Sequence, residues 1–257
     1  MRPVVRFAMA QVPQVGAAAI VELGSFFDAI GLELQPVFVA SYRALYDAVH
    51  LHEADAAWCP PIVARDLRRD RAAEPVACVL RNGAPSYFAA IVGTEVLHSP
   101  AEVHRFGWVS QLSAAGYLVP RSYLASLPKP IDFREERFFH THIRCMEALK
   151  AGIVDAIATY ATREGDKPHL PHGFDGAKVL TTIGPIPGDV IMLSTTMGVR
   201  QSKKITKMFL EADIPADGSI SKLMGTTRFA AVPHGHLESL TKWIAHPVFT
   251  RRADQLV

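Results

Sequence analysis

The chain has 257 residues, of which 49% are hydrophobic and 20% charged, and its formal net charge is +2. Such a length suits one large domain or two lobes of about 100–130 residues, and the composition excludes a disordered chain. The small net charge and the lack of any run of roughly 20 apolar residues argue against a nucleic-acid partner and against membrane insertion.

The cysteines and the first residues bear on the compartment. Cys59, Cys78 and Cys145 are odd in number and widely spaced, which predicts no disulfide framework and favours a reducing compartment. The segment 1–10 is too short and too interrupted for the apolar region of a signal peptide. We therefore expect a cytoplasmic protein as the chain stands. The alternative is a mature periplasmic form whose signal peptide has been removed.

Strands and helices alternate over the first sixty residues. The apolar segment 4–10 predicts a strand that ends at the turn Gln11–Gln14, and helical spacing with a terminal glycine predicts a helix over 17–30. A strand over 34–39, a helix over 41–51 capped by Ser41 and a strand over 55–59 follow. This alternation predicts a parallel sheet with helical crossovers.

The same pattern continues to the C-terminal third. The basic run 65–71 is interleaved with acids and indicates a solvated helix face. The predicted strands are 76–80, 87–92, 106–109, 153–158, 179–183 and 190–193. One predicted helix begins near Tyr117, and three others cover 142–151, 202–211 and 237–244.

One segment recurs at an offset of one hundred residues. Residues 48–56 read AVHLHEADA and residues 148–156 read ALKAGIVDA, so that Ala, Asp and Ala recur where a helix ends and a strand begins. This is either a coincidence in an alanine-rich chain or the trace of two similarly built lobes. Because open α/β sheets bind ligands beyond the carboxyl ends of their strands, two such lobes would place 58–60 and 159–160 on opposite walls of a ligand cleft.

Four motif-bearing segments lie at residues 42–61, 113–120, 141–155 and 186–189. They resemble motifs of one protein family, the phosphonate/phosphate-binding (PhnD-like) branch of the type 2 periplasmic binding proteins. Residues 42–61 resemble its segment of tyrosine, helix and Asp-x-Ala-Trp-x-Gly-Pro, and residues 113–120 resemble its loop Ser-Thr-Ser-Gly-Tyr-x-x-Pro. Thr141-His142 with Gly152 and Asp155 resembles its Ser-His, helix, Gly-x-x-Asp, and residues 186–189 resemble its Ile-Pro-Asn-Asp. The order and spacing of these segments cover about residues 4–195.

The resemblance implies a two-lobed α/β fold with two crossover strands and, in each lobe, a mixed sheet with flanking helices. It implies a first lobe of residues 1–88 plus 190–257, a second lobe of residues 89–189, and a ligand cleft between them. Hinge motion is expected near 83–92 and 184–190. If the protein is exported, its partner is the permease of an ABC transporter.

The family's loop offers hydroxyl and backbone N–H groups to phosphoryl oxygens, and this chain departs from it. Two of the three hydroxyls are absent, which leaves Ser113, and Cys59-Pro60 replaces a Phe-Gly or similar pair. Backbone donors at the start of the following helix can still hold an anion. We therefore expect a small anionic ligand that resembles a phosphonate, phosphate or carboxylate.

Each candidate ligand-binding residue also has a structural interpretation. Ser113–Gly116 forms either an anion cradle or an ordinary helix cap. His142 either donates to an oxyanion or is a capping or surface histidine. The aromatic candidates and the strand ends either line the cleft or belong to the core. The candidates are Tyr42, Trp58, Cys59, Tyr87, Ser113, Ala114, Ala115, Gly116, His142, Thr159 and Tyr160, whereas Asp55 and Asp155 are expected to bind nearby N–H groups at strand starts.

Other kinds of site have little support in the sequence. A nucleophilic Cys59 would need a base and an oxyanion hole, and a buried, inert cysteine is the better interpretation. Three His-x-His pairs, at 50/52, 140/142 and 234/236, lack cysteines or carboxylates at ligand spacing. Nucleotide-binding and hydrolase motifs are absent, and we expect no metal and no cofactor.

Three functions remain open, because a fold does not choose between them. The first is a binding protein that sequesters, senses or delivers a small anion. The second is a cytoplasmic enzyme on the same fold, a lyase or dehydratase acting on a small organic acid as in menaquinone precursor synthesis, with His142 or Asp155 as its base. The third is a protein-interaction module that has lost its site.

Overall fold

The computed structural model describes residues 2–10, 16–129, 131, 133–165, 167–170, 174 and 177–245. These residues form two compact units. The first unit runs to Ser86 and resumes over Pro187–Glu238, and the second comprises Tyr87–Ile186 and the described residues from Ser239 onward. The turn predicted at Gln11–Gln14 lies outside the described residues.

The elements alternate between strand and helix along most of the chain. The strands are β1 Val4–Ala10, β2 Glu33–Val39, β3 Ala56–Cys59, β4 Ala73–Val79, β5 Ser86–Gly93, β6 Arg105–Trp108, β7 Glu135–Phe138, β8 Ala156–Glu164, β9 Lys167–His169, β10 Lys178–Pro187, β11 Val190–Ser194 and β12 Phe229–Ala230. The α-helices are α1 Gly16–Ala29, α2 Tyr42–His50, α3 Pro61–Arg69, α4 Val119–Ala125, α5 His142–Lys150, α6 Val199–Glu211, α7 Ser219–Met224 and α8 Thr241–Ile244.

Each unit contains one mixed sheet with flanking helices, as expected for the predicted fold class. The sheet of the first unit has the order β12-β4-β11-β3-β1-β2, in which β1 is parallel to β2 and β3 while β11 is antiparallel to β3 and β4. The sheet of the second unit has the order β10-β5-β8-β6-β7, with β9 paired to β8. In that sheet β6 is parallel to β7 and β8, and β5 is antiparallel to β8.

The chain passes between the units inside the two predicted hinge segments. It leaves the first unit after Ser86 and re-enters it at Pro187. The assignment of the described residues after Glu238 differs from the predicted division, which placed 190–257 in the first lobe. These residues group with the second unit, because α8 contacts α4.

The first unit buries apolar side chains on both faces of its sheet. On one face Phe7, Phe27, Phe209 and Phe229 form an aromatic cluster with ring centroids 5.1 to 6.3 Å apart, contributed by β1, α1, α6 and β12. The other face packs against α2 and α3 and contains Cys59 and Cys78. Coverage of both faces is typical of sheets with parallel strands joined by helical crossovers.

The second unit also has a core of its own. One face of its sheet packs against α5, with Cys145, Met146 and Leu149 buried there. Phe106 and Trp108, two residues apart on β6, stack with ring centroids 3.8 Å apart. None of the described helices is long and apolar enough to span a membrane.

Candidate functional site

The two units contain the same arrangement of three strands and one helix. In the first, β1 lies between β2 and β3, and α2 connects β2 to β3; in the second, β6 lies between β7 and β8, and α5 connects β7 to β8. Ser41 caps α2 by accepting from the N–H of Ala44, and Thr141 caps α5 by accepting from the N–H of Arg144. Of the two interpretations of the offset of one hundred residues, this likeness favours two similarly built lobes over a coincidence.

An arginine–aspartate fork holds the repeated strands together in each unit. The carboxylate of Asp55 accepts from the backbone N–H of Arg6 at 2.9 Å and from its guanidinium at 2.7 and 3.0 Å. Asp155 accepts from Arg105 in the same way, at 2.9 Å from the backbone and at 2.6 and 3.0 Å from the guanidinium. Both aspartates thus bind N–H groups at the start of a strand, as predicted, and neither is a free base.

The predicted candidates of the second unit lie at one edge of its sheet. Because β6, β7 and β8 are parallel, their carboxyl ends meet at the same edge. Gly107 pairs with Ile157, so Thr159 lies level with the residue that follows β6. β5 is antiparallel to β8, and Ala89 pairs with Tyr160, so the start of β5 with Tyr87 reaches this edge too. Tyr87 is buried there.

The loop after β6 leads into a π-helical turn, Ala114–Leu118, which continues directly into α4. Ser113 caps the turn, because its hydroxyl oxygen accepts from the N–H of Gly116 at 3.0 Å. A Cβ on Gly116 would lie 2.6 Å from Cβ of Val109 and 2.7 Å from Oγ of Ser113, so only glycine fits. Ala114 and Ala115 are buried at the start of the turn, where N–H groups have no partner within a helix.

His142, Thr159 and Tyr160 form a contact group beside that turn. His142 is the first residue of α5, and its Nδ1 lies 2.9 Å from Oγ1 of Thr159 on β8. The ring of Tyr160 meets the His142 ring edge to face, with centroids 5.1 Å apart. Burial lowers the pKa of His142 to about 4, which keeps its imidazole neutral near pH 7. β8 contacts both α5 and the π-helical turn.

The three candidates in the first unit differ in exposure. Tyr42 is the first residue of α2, equivalent to His142 of α5, and is partly buried. Trp58 faces the side of the sheet that contains the aromatic cluster, and its Nε1–H has no hydrogen-bond acceptor among the described residues. Cys59 faces the opposite side and is fully buried. Burial raises the pKa of its thiol, which fits the inert cysteine that the sequence favours.

Ser110 belongs to this edge and was not among the predicted candidates. Its backbone carbonyl accepts from the N–H of Ser113 at 3.0 Å, and its buried hydroxyl oxygen has no hydrogen-bond partner among the described residues. A sequence signal existed, because Ser110 follows a predicted strand directly and precedes the predicted cradle by three residues. Within the described parts of the chain, no group of three metal-ligating side chains is close enough to hold an ion.

A protein-family model matches this arrangement over most of the chain. Residues 23–236 match the family described as the periplasmic substrate-binding protein of phosphonate ABC transporters. The chain belongs to this family. The family resemblance inferred from residues 42–61, 113–120, 141–155 and 186–189 is thereby confirmed, and so is the two-lobed fold class of the periplasmic binding proteins. Among curated proteins, none matches the chain.

Three solved structures illustrate the shared fold, and two of them are described as phosphonate-transporter or phosphonate-bound proteins. PhnD1 of Prochlorococcus marinus, in complex with methylphosphonate, is 14% identical with a TM-score of 0.77 and matches over 96% of this chain and 98% of its own. A binding protein component of a phosphonate ABC transporter from Pseudomonas aeruginosa is 19% identical, with a TM-score of 0.75 and coverages of 99% and 88%. XAC2383 from Xanthomonas citri, bound to ATP, is 15% identical, with a TM-score of 0.75 and coverages of 99% and 99%.

Proposed function

We propose that this protein is a solute-binding protein for a small oxyanion and that the edge of the second unit formed by the ends of β6, β7 and β8 contacts the anionic group. One observation carries the proposal: at this edge the buried hydroxyl of Ser110 has no hydrogen-bond partner in the part of the chain that the structure describes. Donors without acceptors are rare in folded proteins, and they indicate a partner that is absent from the chain itself.

The donors come from two segments. After β6, the hydroxyl of Ser110 has no partner among the described residues. Ser113 uses its hydroxyl oxygen to accept from the N–H of Gly116 and so keeps its own hydrogen to donate. The N–H groups of Ala114 and Ala115 open the π-helical turn. After β7, His142 has a second ring nitrogen beyond the one that contacts Thr159. A tetrahedral oxyanion offers several acceptor oxygens and suits such a group of donors.

The charge of the ligand is matched by dipoles rather than by a cation. All eleven predicted ligand-binding residues are uncharged at pH 7, with His142 neutral because burial lowers its pKa. Neutral hydroxyl and N–H groups, together with the start of a helix, can stabilise an anion without a salt bridge. We therefore propose phosphonate or phosphate as the ligand class, with carboxylate as the second choice.

A thermal-shift screen of the purified protein tests the proposal. The compounds are methylphosphonate, inorganic phosphate, ATP, an aliphatic sulfonate and acetate, with sodium chloride at matched ionic strength as the control. A ligand at about 100 times its dissociation constant stabilises the folded state by roughly 2.7 kcal/mol. We expect a rise of the melting temperature with a phosphoryl compound. Melting temperatures that are the same with all five compounds as with sodium chloride would contradict an oxyanion-binding function.

Two substitutions test the position of the anion. We expect His142→Ala and Ser113→Ala each to weaken binding about tenfold in calorimetric titration with the compound selected by the screen, because each removes one donor to an anion. His98→Ala is the control, since His98 is exposed on the same unit and lies outside the proposed edge. Unchanged affinity in both site variants would place the ligand elsewhere.

The cellular role follows the family and belongs to the same proposal. As a mature periplasmic protein, it would deliver its ligand to the permease of an ABC transporter, and closure of the two units around the crossing segments near Ser86 and Pro187 would accompany binding. Transport of the ligand by cells that lack and then regain this gene tests the delivery step. Uptake that does not depend on the gene would contradict it.

A further inference from the structure

Thr159 and His142 are hydrogen-bond partners that come from different elements. Thr159 is fully buried on β8, and its Oγ1 lies 2.9 Å from Nδ1 of His142, the first residue of α5. Among the described residues, neither side chain has another hydrogen-bond partner. The contact therefore decides which nitrogen of the imidazole carries the ring hydrogen.

The direction of this hydrogen bond follows from burial. A buried hydroxyl has one hydrogen to donate, and leaving a buried donor without an acceptor costs more than leaving a lone pair unused. Nδ1 of His142 is the acceptor within reach. If Nδ1 carried the hydrogen instead, the hydroxyl hydrogen of Thr159 would be stranded in the interior. The hydroxyl therefore donates to Nδ1, and the ring hydrogen resides on Nε2.

We propose that Thr159 is a positioning residue that fixes His142 as the Nε2–H tautomer, so that His142 offers the ligand a hydrogen-bond donor and no acceptor. The ligand then has to place an acceptor oxygen at Nε2 and cannot donate a hydrogen there. This describes the ligand more narrowly, as an oxyanion recognised through an oxygen that accepts a hydrogen bond, and it rests on the proposed function of the same edge. The first unit has no such hydroxyl, because Cys59 occupies the position equivalent to Thr159.

The tautomer is measured first, on the ligand-free protein. Uniform ¹⁵N labelling and two-bond correlation of ring nitrogens with ring carbon-bound protons distinguish a protonated from an unprotonated nitrogen in each histidine. His142→Gln assigns the signals. We expect Nδ1 of His142 to be unprotonated and Nε2 to be protonated near pH 7. A hydrogen on Nδ1 would overturn the inference whether or not any ligand binds.

The positioning role is measured with two variants. Thr159→Val removes the hydroxyl at nearly constant volume, and we expect about tenfold weaker binding of the phosphoryl compound selected by the screen. Thr159→Ser retains a hydroxyl and should restore most of the affinity. Thr226→Val is the matched control, because Thr226 is a buried threonine of the first unit whose hydroxyl is bonded to backbone carbonyls. That variant should lose stability and keep its affinity.

The two ideas fail in different ways. If Thr159→Val binds as tightly as the wild type, the positioning role is wrong while oxyanion binding stands. If no oxyanion binds the wild type, the proposed function is wrong, and the tautomer signals still report whether Thr159 donates to His142. If Thr159→Val does not fold, the tautomer of the wild type and the affinity of Thr159→Ser decide the inference.

Discussion

At the scale of single residues, the arginine–aspartate fork is the contact with the clearest energetic consequence. Partial burial alone would raise the pKa of Asp155, but the hydrogen bonds from the side chain and backbone of Arg105 and its positive charge lower it below the ordinary value. The carboxylate therefore stabilises the fold when it is ionised. The same balance lowers the pKa of Asp55 beside Arg6.

We predict that Asp155→Asn lowers the free energy of unfolding at pH 7 by about 1–3 kcal/mol, because it weakens charge-assisted hydrogen bonds. Because the folded-state pKa is lowered, this stabilisation is complete above the unfolded value of about 3.9 and is lost as the pH falls through the folded value. Urea denaturation at several pH values measures the free energy of unfolding of the wild type and of the variant. The difference between these two free energies should narrow below about pH 4.

The control for this prediction is an exposed ion pair. Arg2 and Asp28 have side chains that are 58% and 61% exposed, whereas those of Arg105 and Asp155 are 42% and 23% exposed. Asp28→Asn should change the stability by less than about 1 kcal/mol, since water screens the pair. Equal losses of stability in Asp155→Asn and Asp28→Asn would show that the geometry of the fork adds no stability beyond that of an exposed ion pair.

The candidate residues show which parts of the site can be predicted before the fold is known. Ser113 and His142 could be predicted from the motifs that resemble those of the family, and Thr159 because it follows the predicted strand that contains Asp155. The hydrogen bond between His142 and Thr159 could not be predicted from the sequence, because it depends on the register of a parallel crossover. Ser110 could have been proposed from its position directly after a predicted strand, but its lack of a hydrogen-bond partner among the described residues is a property of packing that the sequence does not show.

At the scale of elements, the π-helical turn after β6 depends on one glycine. The close approach of Val109 and Ser113 leaves no room for a side chain at Gly116. We predict that Gly116→Ala lowers the free energy of unfolding by about 1–3 kcal/mol through overpacking, and that it also weakens ligand binding by displacing the turn. Chemical denaturation and calorimetric titration measure the two effects.

A glycine with open space around it provides the opposite outcome. Gly24 lies inside α1, and a Cβ there would meet no atom within 4 Å. Gly24→Ala should therefore raise the stability by about 0.5–1 kcal/mol, since alanine loses less conformational freedom in a helix. If both variants were stabilised, the packing argument for the turn would be wrong.

Two strands, β7 and β10, show why the sequence did not predict every strand and every strand end. β7 has the sequence Glu-Glu-Arg-Phe and occupies the edge of its sheet. Three of its four residues are charged, so that its pattern has no apolar alternation. β10 continues through Pro185 to Pro187, although the sequence predicts a strand that ends at residue 183. β10 is also an edge strand, where proline costs no hydrogen bond to a neighbour.

At the scale of the whole molecule, each unit has a core that the other does not share. The aromatic cluster of Phe7, Phe27, Phe209 and Phe229 belongs to the first unit alone. We predict that Phe209→Ala lowers the stability of that unit by about 3–5 kcal/mol. Hydrogen exchange should then accelerate in the strands β1, β3 and β11 and change much less in β5, β6 and β8.

The contrary result is also informative. Uniform acceleration in both sheets would mean that the units unfold as one cooperative body, in spite of their separate cores. A large-to-small change in the second unit, Trp108→Ala, should produce the mirror pattern, because Trp108 is fully buried and stacks on Phe106. The family resemblance implied two lobes, but the placement of residues 239–245 depended on the contact between α8 and α4.

The burial of all three native thiols makes the protein suited to fluorescent labelling. Cys59, Cys78 and Cys145 are buried and unpaired, and burial raises the pKa of Cys78 and of Cys145 to about 12. A maleimide dye should therefore ignore them in the folded state. Val21→Cys and Val96→Cys would introduce one reactive thiol at an exposed position of each unit. Energy transfer between two dyes at these positions would then follow the distance between the units in solution, with and without an oxyanion, against a wild-type background that accepts no dye.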